Sequence, residues 1–138
     1  MATLVFDQEY RIARDTPSDI NEHIEVLKNL ADSVEHVTEM GTRTGVSTRA
    51  FLASDVTLRA YDLFADDYVS QLFELAQKEG KDAKYITANV LETEIDETDL
   101  LFIDTWHCYD QLYAELTTHA PTVKKYIAFP ETHTYGTR

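Results

Sequence analysis

Glycine, proline and cysteine are all scarce in this chain. Of 138 residues, four are glycine, three are proline and one, Cys108, is cysteine. A lone cysteine excludes an internal disulfide, which favours a reducing compartment such as the cytoplasm. Basic side chains are also few: 12 Lys and Arg stand against 25 Asp and Glu, giving a net charge of -13. That imbalance opposes non-specific attraction to nucleic-acid phosphates, which needs clustered Lys and Arg. The pairs Arg11/Arg14 and Lys124-Lys125 are too small to reverse it. No apolar run approaches the ~20 residues of a membrane span. The start, Met1-Ala2-Thr3-Leu4-Val5-Phe6-Asp7, has no basic n-region, so no secretory signal is expected. Repeats, linkers and low-complexity tracts are missing too. What is present fits one domain over residues 1–138, with 43% hydrophobic and 11% aromatic residues to build a core. An acidic surface suits a small-molecule substrate or a basic partner better than nucleic acid or a membrane.

Two of the four glycines sit four apart, in Met40-Gly41-Thr42-Arg43-Thr44-Gly45-Val46. Glycine is needed where the backbone takes a positive φ or passes close to a ligand. In so glycine-poor a chain, this spacing between a strand and a helix reads as a nucleotide-binding turn. A second strand ends in Asp62, 21 residues after Gly41.

The remaining pattern alternates strands with helices. The first fifteen residues read as an N-terminal arm without assigned structure. Thr16-Pro17-Ser18-Asp19 reads as a helix start, with Thr16 as N-cap and Pro17 at the first helical position. Ile20, Ile24, Leu27, Leu30 and Val34 follow at helical spacing, predicting a helix to about Ser33. Strands are predicted over 36–40, 56–61, 84–88, 100–104 and 125–129. Helices are predicted over 47–53 (with Ser47 or Thr48 as cap), 65–79 (stopped by Gly80) and 109–119. Leu100-Leu101-Phe102-Ile103 is a continuous apolar run, as in a strand covered on both faces. This order implies an α/β fold: a doubly wound, mostly parallel sheet of about five strands with helices on both faces.

Ligands of such sheets bind beyond the carboxyl ends of the strands. Those ends carry Glu39/Gly41, Asp62, Asn89, Asp104 and Glu131, so all five sites hold a polar or acidic residue. Asp62 is placed to accept hydrogen bonds from a ribose diol. The Asn89 carboxamide can read an adenine edge, or simply organise a turn. Arg43 between the glycines breaks a full G-x-G-x-x-G and argues against a pyrophosphate.

The set Glu39-x-Gly41-x-x-x-Gly45, Tyr61-Asp62, Ala88-Asn89-Val90 and Leu101-Phe102-Ile103-Asp104 resembles the Rossmann-like class I S-adenosylmethionine-dependent methyltransferases. The closer likeness is to the small-molecule O-methyltransferase-like branch, over about residues 16–136. The resemblance implies S-adenosylmethionine as cofactor. Gly41, Thr42 and Gly45 would pass beneath its methionine part and Glu39 would face its ammonium group. Asp62 would hold the ribose hydroxyls and Asn89 the adenine edge. Asp104 would lie near the methyl group, the methionine end or a metal. Asp104, His107 and Glu131 are the catalytic candidates, with His133 as a further base.

The chain also departs from that pattern. Pro130-Glu131 stands where relatives carry His-Asp; Glu131 beside Asp104 would supply two oxygen ligands for a divalent metal. The family usually adds two more strands, whereas this sequence stops just after the fifth, at Gly136-Thr137-Arg138. That reads as a truncated or minimal version whose open edge is covered in a homo-oligomer. Methyl transfer to a small molecule is the leading expectation. Its rivals are a non-catalytic cofactor-binding relic and an enzyme that cleaves the same cofactor. A nicotinamide dehydrogenase is disfavoured by Arg43.

Overall fold

The computed structural model describes residues 2–18, 20–104 and 109–129. Five strands form one sheet: β1 (His36–Met40), β2 (Thr57–Asp62), β3 (Ala83–Thr87), β4 (Thr98–Ile103) and β5 (Val123–Ala128). Their order is β3-β2-β1-β4-β5 and every pair is parallel. The chain winds outward from β1 to β3, then returns to the other side of β1 for β4 and β5. The switch point therefore lies between β1 and β4. Central and edge strands differ in burial as this order demands. Val37 to Met40 of β1 are all buried, whereas Lys124 to Tyr126 of β5 are exposed.

Five helices cover the sheet. Helices α1 (Ala2–Asp15), α2 (Ile24–Asp32), α3 (Val46–Leu52) and α4 (Asp67–Lys78) share one core with Val37, Leu58, Ala60, Leu100 and Phe102. Phe51 of α3 meets Phe102 edge-on, with ring centroids 5.8 Å apart. On the opposite face α5 (Tyr109–His119) packs Leu112 onto Met40, Leu101 and Ile103. The β3–β4 connection, residues 88–97, has no helix; Val90 and Ile95 turn inward in its place. The buried His119 ring holds this segment by donating to the Val90 carbonyl at 2.6 Å. Among the described residues no helix is long and apolar enough to cross a membrane.

The α/β architecture, the five strands and the helices on both faces are as expected from the sequence, and α5 matches its predicted span. Helix α4 ends as Gly80 predicts: Gly80 has φ +87°, and Lys81 N–H donates back to the Ala76 carbonyl at 2.9 Å.

Residues 2–15, to which the sequence assigns no structure, form helix α1, which buries Phe6 and Ala13. Two local expectations fail. Thr16-Pro17-Ser18 does not start a helix. Thr16 N–H still donates back to Ile12 at 3.0 Å, so these residues finish α1. Asn21 Oδ1 accepts from Ser18 N–H and Ser18 Oγ from Ile20 N–H, and α2 begins only at Ile24 after a 3-10 turn over Asn21–His23. The expected apolar stripe is nevertheless correct: Ile20, Ile24, Leu27 and Val34 are buried. Finally, neither Ser47 nor Thr48 caps α3. The N-cap is Gly45, and both hydroxyls turn to a different acceptor.

Candidate functional site

Backbone pairing at the carboxyl end of the sheet brings three loop starts together. Gly41 N–H donates to the Tyr61 carbonyl at 2.7 Å, and Asp104 N–H donates to the Met40 carbonyl at 2.7 Å. Ala88 N–H donates to Asp62 at 2.9 Å. Gly41 and Asp104, just past β1 and β4, thus lie beside Asp62, the last residue of β2.

The glycine turn has a demanding backbone. Gly41, Arg43 and Gly45 have φ of +87°, +51° and +90°. Arg43 is the one non-glycine among the described residues with positive φ, a conformation that costs about 1–2 kcal/mol. Two glycines are needed for the turn itself. Gly45 has a second reason: a Cβ there would stand 3.0 Å from Val69 Cγ2, so its bare backbone lets α4 pack against the start of α3.

Asp62 holds this turn in place. Its Oδ2 accepts from Arg43 N–H at 2.8 Å and from the Thr42 hydroxyl at 3.1 Å. Its Oδ1 accepts from Leu63 N–H at 2.7 Å. A carboxylate offers about four acceptor positions, so roughly one remains for a ligand. On the other side, Arg49 of α3 bonds the Gly45 carbonyl through Nε at 3.3 Å. Arg49 is in turn steadied by Glu9 of α1, at 3.7 Å, and by the Tyr68 ring.

Glu39 lies beneath the turn with no exposed surface. Thr48 donates to its Oε1 at 2.8 Å and Ser47 donates to its Oε2. Burial pushes its pKa up to about 8; the two hydroxyls oppose that shift, and the negative charges of Asp104 and Asp62 add to it. At neutral pH Glu39 is therefore mostly a neutral acid. Asp104 is equally buried, at 2% exposure, and its Oδ1 stands 3.7 Å from Arg43 Nη2.

Of the sequence-derived candidates, Glu39, Gly41, Thr42, Gly45, Asp62 and Asp104 come together at this switch point. Asn89 sits one strand further out. Its Oδ1 accepts from Leu91 N–H at 3.0 Å, so the carboxamide oxygen organises a turn. His107, Glu131 and His133 lie outside the described residues. Among the described residues no cluster of three or more His, Cys, Asp or Glu could hold a metal ion. Of the expected metal pair only Asp104 is described, and the Arg43 guanidinium beside it is a poor neighbour for a divalent cation.

The sequence reading missed several residues of the site. The sequence offers Ser47 or Thr48 as a helix cap, whereas both hydroxyls donate to Glu39. Tyr85 of β3 accepts from Asp66 N–H at 2.9 Å and so anchors the loop after Asp62. Leu63 and Phe64 follow Asp62 and stand exposed as an apolar rim. The signal for that rim was present, since apolar residues straight after a strand-ending acid have no core to enter.

No protein-family model matches the sequence, and no curated protein matches it. Solved structures do. The N-methyltransferase NodS from Bradyrhizobium japonicum, solved with S-adenosylhomocysteine, superposes with a TM-score of 0.66 at 14% identity, over 93% of this chain and 71% of that one. The 1,6-didemethyltoxoflavin-N1-methyltransferase of Burkholderia thailandensis, also bound to S-adenosylhomocysteine, gives 0.62 at 18% identity over 88% and 56%. The methyltransferase PaMTH1 of Podospora anserina, bound to the same compound, gives 0.56 at 16% over 85% and 56%. The chain has the fold of the S-adenosylmethionine-dependent methyltransferases. It spans 56% of the Burkholderia enzyme's length, so the likeness covers part of that protein. The three acids and the glycine turn lie at the carboxyl end of this sheet, where open α/β sheets generally bind ligands.

Proposed function

We propose that this protein binds S-adenosylmethionine at the carboxyl ends of β1, β2 and β4 and transfers its methyl group to a small-molecule acceptor. The observation that carries this reading is the convergence of Glu39, Asp62 and Asp104 around the Gly41–Gly45 turn. Three acids in one crevice suit a ligand that carries a sulfonium and an ammonium charge. When bound, the cofactor supplies an electrophilic methyl group on sulfur. The chain's own part is to hold and orient: methyl transfer is an in-line displacement, and alignment supplies most of its acceleration.

Placement supports the following residue roles. Gly41, Thr42 and Gly45 shape the turn. Glu39 lies below it, neutral until a cation arrives. Asp62 keeps the turn fixed and has room on Oδ1 for one ribose hydroxyl; a second would compete with Thr42. The amide nitrogen of Asn89 faces the adenine edge, while its oxygen keeps the turn. Leu63 and Phe64 offer apolar surface to the base.

Titration calorimetry with S-adenosylmethionine, S-adenosylhomocysteine and NAD tests the proposal. Binding of the two sulfur compounds without NAD is expected. Absence of binding to either one overturns it. Chromatography of the cofactor incubated alone then separates methyl transfer from cofactor cleavage, which would release products with no acceptor present.

For the assembly we propose a homo-oligomer. A second copy would cover the apolar groove between α2 and β5, lined by Val26, Leu30, Phe102 and Phe129. Among the described residues β5 is a sheet edge, and such edges are normally covered. Light scattering that returns the mass of one chain at every concentration would refute this.

A further inference from the structure

The Thr42 hydroxyl stands between two acceptors. It lies 3.1 Å from Asp62 Oδ2 and 3.4 Å from the Tyr85 hydroxyl. A threonine has one hydrogen to give, and the charged acceptor is both nearer and stronger. Thr42 is 2% exposed, so a hydroxyl turned away from Asp62 must find its partner inside the protein.

Tyr85 is held where that partner is needed. Its ring stacks on Phe73 of α4, with centroids 5.3 Å apart and 18° between the planes. Its hydroxyl donates to the Phe64 carbonyl at 3.3 Å and accepts from Asp66 N–H at 2.9 Å. A second lone pair on the phenolic oxygen is left for Thr42.

Asp62 has a shortage that this arrangement can relieve. Its Oδ2 accepts from Arg43 N–H and from Thr42, and its Oδ1 accepts from Leu63 N–H. Of about four acceptor positions one is left, whereas a vicinal diol asks for two. Arg43 and Leu63 donate from the backbone. The Thr42 donor is a hydroxyl that rotates, so it is the partner that can yield.

We propose that Tyr85 is a positioning residue for a ligand diol: the diol displaces the Thr42 hydroxyl from Asp62 Oδ2, and that hydroxyl turns to the Tyr85 oxygen. This rests on the proposed binding of S-adenosylmethionine and names the residue that turns its ribose from a one-point into a two-point contact. Thr42 keeps its hydrogen and exchanges one acceptor for the other. Without the Tyr85 oxygen the same displacement would leave a buried donor unsatisfied. Preference for a diol over a single hydroxyl thus depends on a tyrosine that need not touch the ligand.

S-adenosylhomocysteine and its 2′-deoxy and 3′-deoxy analogues, titrated into the full-length chain and its variants, test this. The readout is the ratio of affinities, intact diol over analogue. The parent is expected to favour the diol about tenfold over either analogue. Tyr85→Phe keeps the ring against Phe73 and removes only the hydroxyl. It is expected to bring the ratio to within about twofold of unity for the analogue that lacks the hydroxyl at Oδ2. Any general disturbance of the loop after Asp62 weakens all three ligands alike and cancels in the ratio. Adding Thr42→Val removes the competing hydroxyl, and this double variant is expected to regain the preference. Thr42→Val alone is expected to keep it. A ratio unchanged by Tyr85→Phe would mean that the tyrosine merely holds the loop, and would overturn the inference. So would a double variant that stays indifferent to the diol, or a loss of preference in Thr42→Val alone. Failure of the parent chain to bind S-adenosylhomocysteine would instead defeat the proposed function, and the inference with it.

Discussion

Burial holds the proton of Glu39 to about pH 8, whereas in the unfolded chain it leaves near 4.5. Between those values the folded state carries the extra proton, so stability falls as pH rises. The contribution is complete below about 4.5 and gone above about 8. Glu39→Gln removes the titration but keeps the shape, and an amide can still bond the Ser47 and Thr48 hydroxyls. The wild type is therefore expected to lose on the order of several kcal/mol relative to this variant between pH 5 and pH 8. Denaturant unfolding of both proteins across that range measures it. Parallel stability curves would show that Glu39 does not titrate as its burial demands. The sequence placed Glu39 at the site from its position before Gly41. It did not show that Ser47 and Thr48 would be its partners, because capping was the nearer use for hydroxyls at a helix start. The same is true of Arg43, whose left-handed backbone no sequence pattern for arginine announces.

At the scale of elements, legibility tracks how much of a segment's burial is written in its own pattern. β4 is buried on both faces and reads as an unbroken apolar run. α5 carries its own spacing and was placed to the residue. Helix α1 does carry a stripe, with Phe6, Tyr10 and Ala13 at helical spacing, but the stripe is short and the exposed Val5 and Ile12 beside it blur the pattern. It packs that face chiefly against α3. That makes a sharp prediction. Phe6 is fully buried in the same cluster as Ile24, Ala31 and Phe51, so Phe6→Ala is expected to cost roughly 3–5 kcal/mol. A loss below about 1 kcal/mol on chemical denaturation would mean that α1 is not part of the cooperative unit. The same variant probes the site from a distance. Glu9 of α1 steadies Arg49, which bonds the Gly45 carbonyl, so loosening α1 is expected to weaken ligand binding at the turn without touching the ligand.

For the molecule as a whole, the parallel sheet and its winding followed from strand–helix alternation and the handedness of crossovers, which need no side-chain detail. Charge is the other whole-molecule property written in the sequence, and it sets up a contest of signs. An excess of 13 negative charges makes the compact state repel itself. Against this stand ion pairs such as Arg14–Asp15, Lys28–Asp32, Arg59–Asp82 and Lys124–Glu97. Surface pairs of this kind contribute little, and salt weakens them. The self-repulsion acts over longer distances, where screening is more effective: the Debye length falls from about 10 Å at 0.1 M salt to about 3 Å at 1 M. Long-range repulsion among many acids should therefore be relieved more than the short contacts are lost. The melting temperature is expected to rise by a few degrees from low salt to about 0.5 M sodium chloride. Scanning calorimetry at several salt concentrations decides it. A melting temperature that falls with salt would mean that the local ion pairs, not the acidic excess, govern the electrostatic stability of this fold.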